Sequence, residues 1–269
     1  MNSLKTGQFY GQTNEITHLK GLTLTDTEYT QSNVDWHYHE NAYFTFILEG
    51  SVIEGNKKET YHCTAGNLLF HNCQEAHNNI KPKGFTRGFH IELEQSWFNA
   101  FQIDHDSIQG SINILNPNMR IQMYNIFKET MLDGRMGSIV IDSLLIELFS
   151  QMAGFQESFK RENPSWVYRI REILHDTRSE SWTLLALAET LAIHPVHLSR
   201  NFAKYFHCNL GEYIRALKIQ RSLSLLPDKS FSLTDIALEC GFSDQSHFIR
   251  TFKAVNQITP SSFRKLLSK

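Results

Sequence analysis

The sequence predicts an α+β protein of two domains: residues 1–160 as a small β-sandwich or barrel followed by two helices, and residues 161–269 as an all-α domain. Three observations predict it. Short runs rich in β-branched and aromatic residues, punctuated by turn signals, fill the chain from Val34 to about Leu93. An apolar helical stripe follows them. The last hundred residues then carry one pattern of helix, sharp turn and helix twice over. A chain of 269 residues is long enough to bury two separate cores.

Residues 1 to about 30 are polar, with scattered Thr, Gly and Asn, and read as an arm leading into the first strands. The strands are Tyr43 to Leu48, Ser51 to Glu54, Glu59 to Cys63, Asn67 to Phe70 and Phe85 to Leu93. Turns are expected at Glu49-Gly50, Gly55-Asn56, Ala65-Gly66 and Lys81 to Gly84. In the last strand Phe89, Ile91 and Leu93 alternate with His90 and Glu92, the pattern of a strand covered on one face. A polar loop through His105 and Asp106 leads to helices over Asn118 to about Leu132 and Ser138 to about Phe155, parted by Asp133-Gly134. The second carries Ile141, Leu144, Leu145, Leu148, Phe149 and Met152 near heptad spacing. Glu157 to Pro164 is polar, ends in Pro and reads as the linker.

The stretch from Ser232 to Arg264 organises the second domain. Ser232 with Asp235 forms a capping pair, Ile236, Ala237 and Cys240 give the helix an apolar face, and Gly241 ends it. Ser243 or Asp244 caps the next helix, whose core face is Phe248, Phe252 and Val255. Gln245, Ser246, Ile249, Arg250 and Lys253 fall on the opposite side, a face of donors suited to base edges and phosphates. Thr259 and Pro260 begin a further helix. Leu187, Ala188, Ala192 and Ile193 match Ile236, Ala237, Gly241 and Phe242 at an offset of 49, and Leu198, Arg200, Phe202 and Tyr213 match Phe248, Arg250, Phe252 and Phe263 at 50. Eight similar pairs in register tell against chance.

The earlier unit follows a helix from Trp166 to His175, is capped by Ser181 or Thr183, and has Pro195 at the start of its second helix. Leu198, Phe202 and Tyr205 face inward there, while Val196, Ser199, Arg200 and Lys204 face out. A helix from about Glu212 to Leu226 joins the units. From Trp166 onward there are 14 Lys+Arg against 9 Asp+Glu, a net of +5, whereas the rest of the chain carries 12 against 19, or −7. A basic C-terminal part fits a nucleic-acid partner. Cys63, Cys73, Cys208 and Cys240 form no CxxC pair, so reduced thiols are expected. No apolar run reaches the roughly 18 residues of a membrane span, and the N-terminus lacks a signal-peptide core, so a cytoplasmic location and no membrane partner are expected.

The region from about Trp166 to Lys269 resembles the tandem helix-turn-helix domain of the AraC/XylS transcription regulators. The family signature is carried by Ile236, Ala237, Gly241, Phe242, Phe248, Arg250, Phe252, Lys253, Thr259, Pro260, Phe263 and Arg264. Gln257 and His207 stand where the family usually has Gly, and Ala216 replaces a usual Arg. The resemblance implies operator DNA and RNA polymerase as partners, homodimerisation through the helices before the linker, and no catalytic residues. With the outward geometry it makes Arg200 and Arg250 readers of guanine, Val196, Ser199, Gln245, Ser246 and Ile249 base-facing, and Lys204, Lys253 and Thr259 phosphate contacts.

His37-Tyr38-His39, then Gly50, Gly66 and His77, resembles the two motifs of a cupin barrel, with Tyr43 and Phe44 where metal-using members place an acidic residue. Three imidazoles suit a divalent metal as well as hydrogen bonds to a ligand, and the expected assignment is no metal and no cofactor. His62, Cys63, His71, Cys73 and His77 are a second set of metal-like types, divided between opposite faces by strand alternation. A small-molecule effector, a sugar, polyol or carboxylate, would meet Trp36, His37, His39, Tyr43, His77, Arg87 and His90. The expected function is therefore an effector-controlled, dimeric transcription regulator. Its rivals are a cupin-type metal enzyme with an accessory DNA-binding domain and a regulator that needs no effector.

Overall fold

A computed structural model describes residues 2–105, 108, 110–132, 137–159, 163–176 and 182–267. The polar first thirty residues, expected to be an arm, contain three strands: β1 (Asn2–Leu4), β2 (Gln12–Leu19) and β3 (Leu22–Glu28). In β3 threonine decides the matter. Thr23, Thr25 and Thr27 line one face and Leu22, Leu24 and Asp26 the other, all buried, because the β-branched threonine packs on a pleated surface as valine does.

The remaining strands are β4 (Asn33–His39), β5 (Ala42–Glu49), β6 (Ser51–Asn56), β7 (Thr60–Thr64), β8 (Leu68–His71), β9 (His77–Ile80), β10 (Arg87–Leu93) and, after helix α1 (Gln95–Phe101), β11 (Ser111–Ile114). They form a five-stranded sheet in the order β1-β4-β9-β6-β7 and a six-stranded sheet in the order β11-β8-β5-β10-β3-β2. The β5–β6 turn needs Gly50: its φ is +76°, and a Cβ there would lie 2.0 Å from the Phe85 carbonyl oxygen. The turn expected at Gly55-Asn56 falls one step later. Both residues belong to β6, and the Asn56 side chain accepts from the Lys58 and Glu59 amides at 2.8 Å each.

Two helices cover the outer face of the six-stranded sheet: α2 (Pro117–Thr130) and α3 (Gly137–Phe159). Phe149 lies 5.5 Å from Phe44 and 5.6 Å from Phe70, Tyr124 lies 4.6 Å from Phe46, and Phe127 lies 5.2 Å from Phe89, all between ring centres. The inner face holds Tyr43, Thr45, His71, His90 and Glu92. Strand β10 is therefore buried on both faces, rather than covered on one, because the polar side that alternation suggested for solvent points at the opposing sheet. His105 lies in the loop expected for it but is buried, with Nε2 2.9 Å from the Gln95 side chain.

Of the α3 stripe, Ile141, Leu145, Leu148, Phe149 and Met152 are buried and Leu144 is partly exposed, while Ile139 and Val140 are exposed. Helix α3 extends into the expected linker as far as Phe159. Residues 160–162, the Asp133-Gly134 turn, Asp106 and Ser181 lie outside the described residues. The chain divides into two compact units, residues 1–150 (with 266–269) and residues 151–265.

The second unit is helical: α4 (Ser165–His175), α5 (Leu184–Thr190), α6 (Pro195–Phe206), α7 (Leu210–Leu225), α8 (Leu233–Glu239), α9 (Gln245–Asn256) and α10 (Pro260–Leu267). Thr183 caps α5, and side chain and backbone cap one another at Asn209/Glu212 of α7 and Ser232/Asp235 of α8. One core gathers Trp166, Val167, Ile170, Leu174, Leu187, Leu198, Phe202 and Phe206. The duplicate buries Ile236, Ala237, Phe248, Phe252 and Phe263. Two expected core residues are corrected. Val255 is 40% exposed, because the apolar face advances by four and Asn256 takes the buried place, its amide donating to the Phe252 carbonyl at 3.2 Å. Tyr205 is half-buried and Phe206 fills the core beside it.

Ala192, His207 and Gln257 have φ of +53°, +58° and +63°, beside +74° at Gly241, so the two family glycines missing at His207 and Gln257 are missing from left-handed helix ends. The turns survive at a cost. His207→Gly and Gln257→Gly should each stabilise the second unit by about 0.5–1 kcal/mol, read as a rise in its unfolding midpoint.

Candidate nucleic-acid interface and barrel cavity

Each module presents one helix on a buried hinge. In the second, α8 packs through Ile236 and Ala237, the chain reverses at Gly241, and Asp244 caps α9 by accepting from the His247 amide at 2.7 Å. Lys218 of α7 donates to the Gly241 carbonyl and stands 5.7 Å over the Phe242 ring, holding the turn from behind. With Phe248 and Phe252 fully buried, Gln245, Ser246, Arg250 and Lys253 are exposed and Ile249 is partly so. In the first, His194 Nδ1 accepts from the Val196 amide at 3.2 Å and Pro195 opens α6. Val196, Ser199, Arg200 and Lys204 are exposed there, and Thr259, partly exposed, caps α10 through the Ser262 amide at 3.2 Å.

Between the modules α7 runs 16 residues, about 24 Å at 1.5 Å per residue. Arg264, one of the signature residues, is structural. Its Nε donates to the Leu226 carbonyl and its Nη2 to the Phe231 carbonyl, both at 2.9 Å, clamping the α7–α8 loop. Arg264→Met should cost about 2–3 kcal/mol in denaturant unfolding of this unit, since two charge-assisted bonds are lost. Neither Lys218 nor the buried Asn256 was singled out by the sequence: each donates to a main-chain carbonyl, and such contacts leave no pattern in side-chain spacing.

In the first unit the two sheets line a small cavity with about 20 Å³ of free volume, room for about one water. Five of the seven expected effector residues line it: His37, His39, Tyr43, His77 and His90. Trp36 and Arg87 do not. Trp36 neighbours His37 on β4, so alternation sends it outward, where it is 41% exposed. Arg87 falls on the helix-facing side of β10. Its Nε is 2.8 Å from Asp26 Oδ1 and its guanidinium lies 5.6 Å from the Phe127 ring centre. Glu92 is buried on the other face and accepts from the Gly7 amide.

The lining also includes residues the sequence did not suggest: Phe9, Tyr10, Tyr29, Thr45, Glu54 and Asn79. Phe9 stacks on His90 at 3.8 Å and 10° and lies 4.7 Å from His39, while Tyr10 meets His37 edge-on at 4.9 Å. Tyr43 bonds His77 Nε2 at 3.0 Å, Tyr29 bonds His90 Nε2 at 3.3 Å, and Glu54 lies 3.2 Å from His71 Nε2. Burial depresses the basicity of every one of these imidazoles. His39 falls to about 3, and His37, His71, His77 and His90 are lowered too, chiefly by desolvation and then by neighbouring histidines for His39, His71, His77 and His90. Desolvation also lifts Glu54 to about 8 and Glu92 to about 7, so the inner face is close to neutral. His62 and Cys73 are exposed, away from this cluster, and all four cysteines are free.

Comparison with known proteins assigns the second unit. A helix-turn-helix domain family model matches residues 187–266. The probable transcription factor PqrA of Proteus vulgaris is 36% identical over 88 residues, covering 33% of this chain and 72% of its own length. The Msm operon regulatory protein of Streptococcus mutans is 24% identical over 247 residues, 84% of each chain. Among solved structures, apo ToxT from Vibrio cholerae matches at 14% identity with a TM-score of 0.42, covering 93% of this chain and 98% of that one. No helix among the described residues is long and apolar enough to cross a membrane. Duplicated modules with opposed buried and basic faces, and relatives that share them along most of their length, place this chain in the AraC/XylS family of DNA-binding transcription regulators.

Proposed function

We propose that the protein reads its operator through α6 and α9, with Arg200 and Arg250 bonding guanine edges in successive major grooves. The observation that carries this reading is that both arginines, fifty residues apart, are exposed at matched positions one turn or so inside helices whose other faces are buried. Gln245 suits adenine, and Val196 and Ile249 suit a thymine methyl, while Ser199 and Ser246 complete the base-facing set. Lys204, Lys253 and the α10 start at Thr259 hold phosphates and set register.

The barrel cavity is the effector site of this reading, and the ligand is a polyol, sugar or carboxylate that enters as the lining side chains part, since the cavity as it stands has about 20 Å³ free. Ile139 and Val140, exposed on α3, form the homodimer contact, and the dimer acts with RNA polymerase at a promoter in the cytoplasm as a regulator rather than an enzyme. Effector control requires different affinities for two arrangements of the chain. Selection of bound sequences from random DNA, with and without candidate effectors, tests the proposal. Two short motifs about 10 base pairs apart are expected in each half-site. Recovery of no motif would remove the operator reading. A ligand at 100 times its dissociation constant should add about 2.7 kcal/mol to the stability of the first unit, and a screen without any such shift would remove the effector.

A further inference from the structure

The internal repeat reaches further back than the two helix-turn-helix units. At the offset of 49 that relates Ala192 to Gly241, α4 falls on α7: Val167, Ile170 and Leu174 match Ala216, Ile219 and Leu223, and all six are buried. The turns match as well. The Ile193 amide donates to the Ala188 carbonyl at 3.0 Å and the Phe242 amide to the Ala237 carbonyl at 2.8 Å, the long bond of a Schellman helix end in both. Each module thus has a scaffold helix standing behind its helix, turn and exposed helix.

A cation occupies the same place on both scaffold helices, Arg169 on α4 and Lys218 on α7, again 49 apart. Each donates to a main-chain carbonyl where the next helix ends. Lys218 Nζ meets the Gly241 carbonyl, and a Cβ added at Gly241 would lie 3.5 Å from Lys218 Cε, so the side chain packs against the turn along its length. Arg169 Nη2 reaches the Thr190 carbonyl at 3.5 Å, two residues earlier in its own module. Positive charge is favourable at the carbonyl end of a helix, and a charged donor strengthens the bond. Lys218 is half-buried and burial lowers its pKa, so its ammonium is committed to the turn rather than held out towards a phosphate.

We propose that Lys218 and Arg169 are positioning residues, which tie the turn of each module to its scaffold helix and so set the angle at which α9 and α6 meet the bases. The assignment rests on the operator reading above. Arg250 stands five residues into α9, about 8 Å along its axis, so a tilt of about 10° at the turn carries it about 1.3 Å. A preorganised contact tolerates about 0.5 Å. Phosphate contacts carry no sequence information, so their contribution survives such a tilt. Lys218 therefore governs the bases read by α9, and Arg169 those read by α6. With a carbonyl and the Phe242 ring both in reach, Lys218 is the firmer clamp.

The test uses the full chain with Lys218→Met and Arg169→Met, which keep an unbranched side chain and remove the charged donor, and with Lys218→Arg, which restores it. Each protein selects sequences from random DNA, and its affinities for the wild-type operator and for random DNA are titrated. Lys218→Met should loosen the half of each motif read by α9 and keep the half read by α6. It should weaken operator binding about 10-fold, with random-DNA affinity and salt slope unchanged. Arg169→Met should loosen the other half by a smaller factor, and Lys218→Arg should recover most of the loss. Circular dichroism at the binding temperature checks folding; Arg169 is exposed, so its variant decides the matter should Lys218→Met unfold. Folded Met variants that select the wild-type motif, or that lose operator and random DNA alike with a lower salt slope, would overturn the clamp and leave the operator reading standing. A wild-type chain that selects no motif would remove that reading and the clamp with it.

Discussion

Replacing Arg200 and Arg250 together by alanine is expected to weaken binding to the selected operator by about 2–6 kcal/mol, roughly 30-fold to 20,000-fold. The physical ground is the bidentate match between a guanidinium and guanine O6 and N7, worth about 1–3 kcal/mol of discrimination per base pair. Binding to random DNA should fall far less, because it rests on phosphate charge that the arginines share with Lys204, Lys253 and the rest of a surface of net +5. Competition titrations at one fixed salt concentration distinguish the two. Lys204→Ala and Lys253→Ala are the contrast: each should weaken specific and random DNA alike and reduce the salt slope by about one. Equal losses on operator and random DNA in the arginine variants would make them phosphate contacts and refute base reading. Both side chains are exposed, so the substitutions leave the cores intact.

The barrel unit is expected to lose stability as the pH falls from 6.5 to 5. The sign follows from which state binds more protons. His39 titrates near 6.5 when unfolded and at about 3 when folded, so between those values the unfolded chain holds the extra proton and stability falls as pH falls. At pH 5 that single group removes about 2 kcal/mol. His37, His71, His77 and His90 are shifted in the same direction. Glu54 and Glu92 act oppositely: raised from 4.5 to about 8 and about 7, they hold protons in the fold that the unfolded chain releases, and their contribution is lost as pH rises through that window. Five imidazoles outweigh two carboxyls below 6.5, and above it only the carboxyls titrate. Denaturant unfolding of metal-free protein, followed by fluorescence of the buried Trp97, would give the profile. A flat curve from pH 5 to 7 would show that folding leaves the net proton uptake of the cluster unchanged and would refute the depressed histidines.

Local chemistry wrote most of the second unit into the sequence. Caps at Thr183, Ser232 and Asp244, Pro at 195 and 260, and phenylalanines repeating every four residues are short-range signals, and helices are built of short-range contacts. The few misjudgements there, Val255 and Tyr205, are single steps around a helix. The first unit was harder to read because strand faces take their meaning from partners distant in the chain. Thr23, Thr25 and Thr27 looked like a polar arm until β10 lay beside them, and Arg87 looked like a ligand contact until Asp26, 61 residues away, claimed it. Sequence placed His37, His39 and His77 in one barrel. Only the ladder between β4 and β9 brought their nitrogens within 4.8 Å, and only the fold of the backbone two residues before His37 and His77 turned carbonyls onto their rings. Helical periodicity is a property of neighbours along the chain, whereas a cavity is a property of neighbours across it, and tertiary packing alone decides the second.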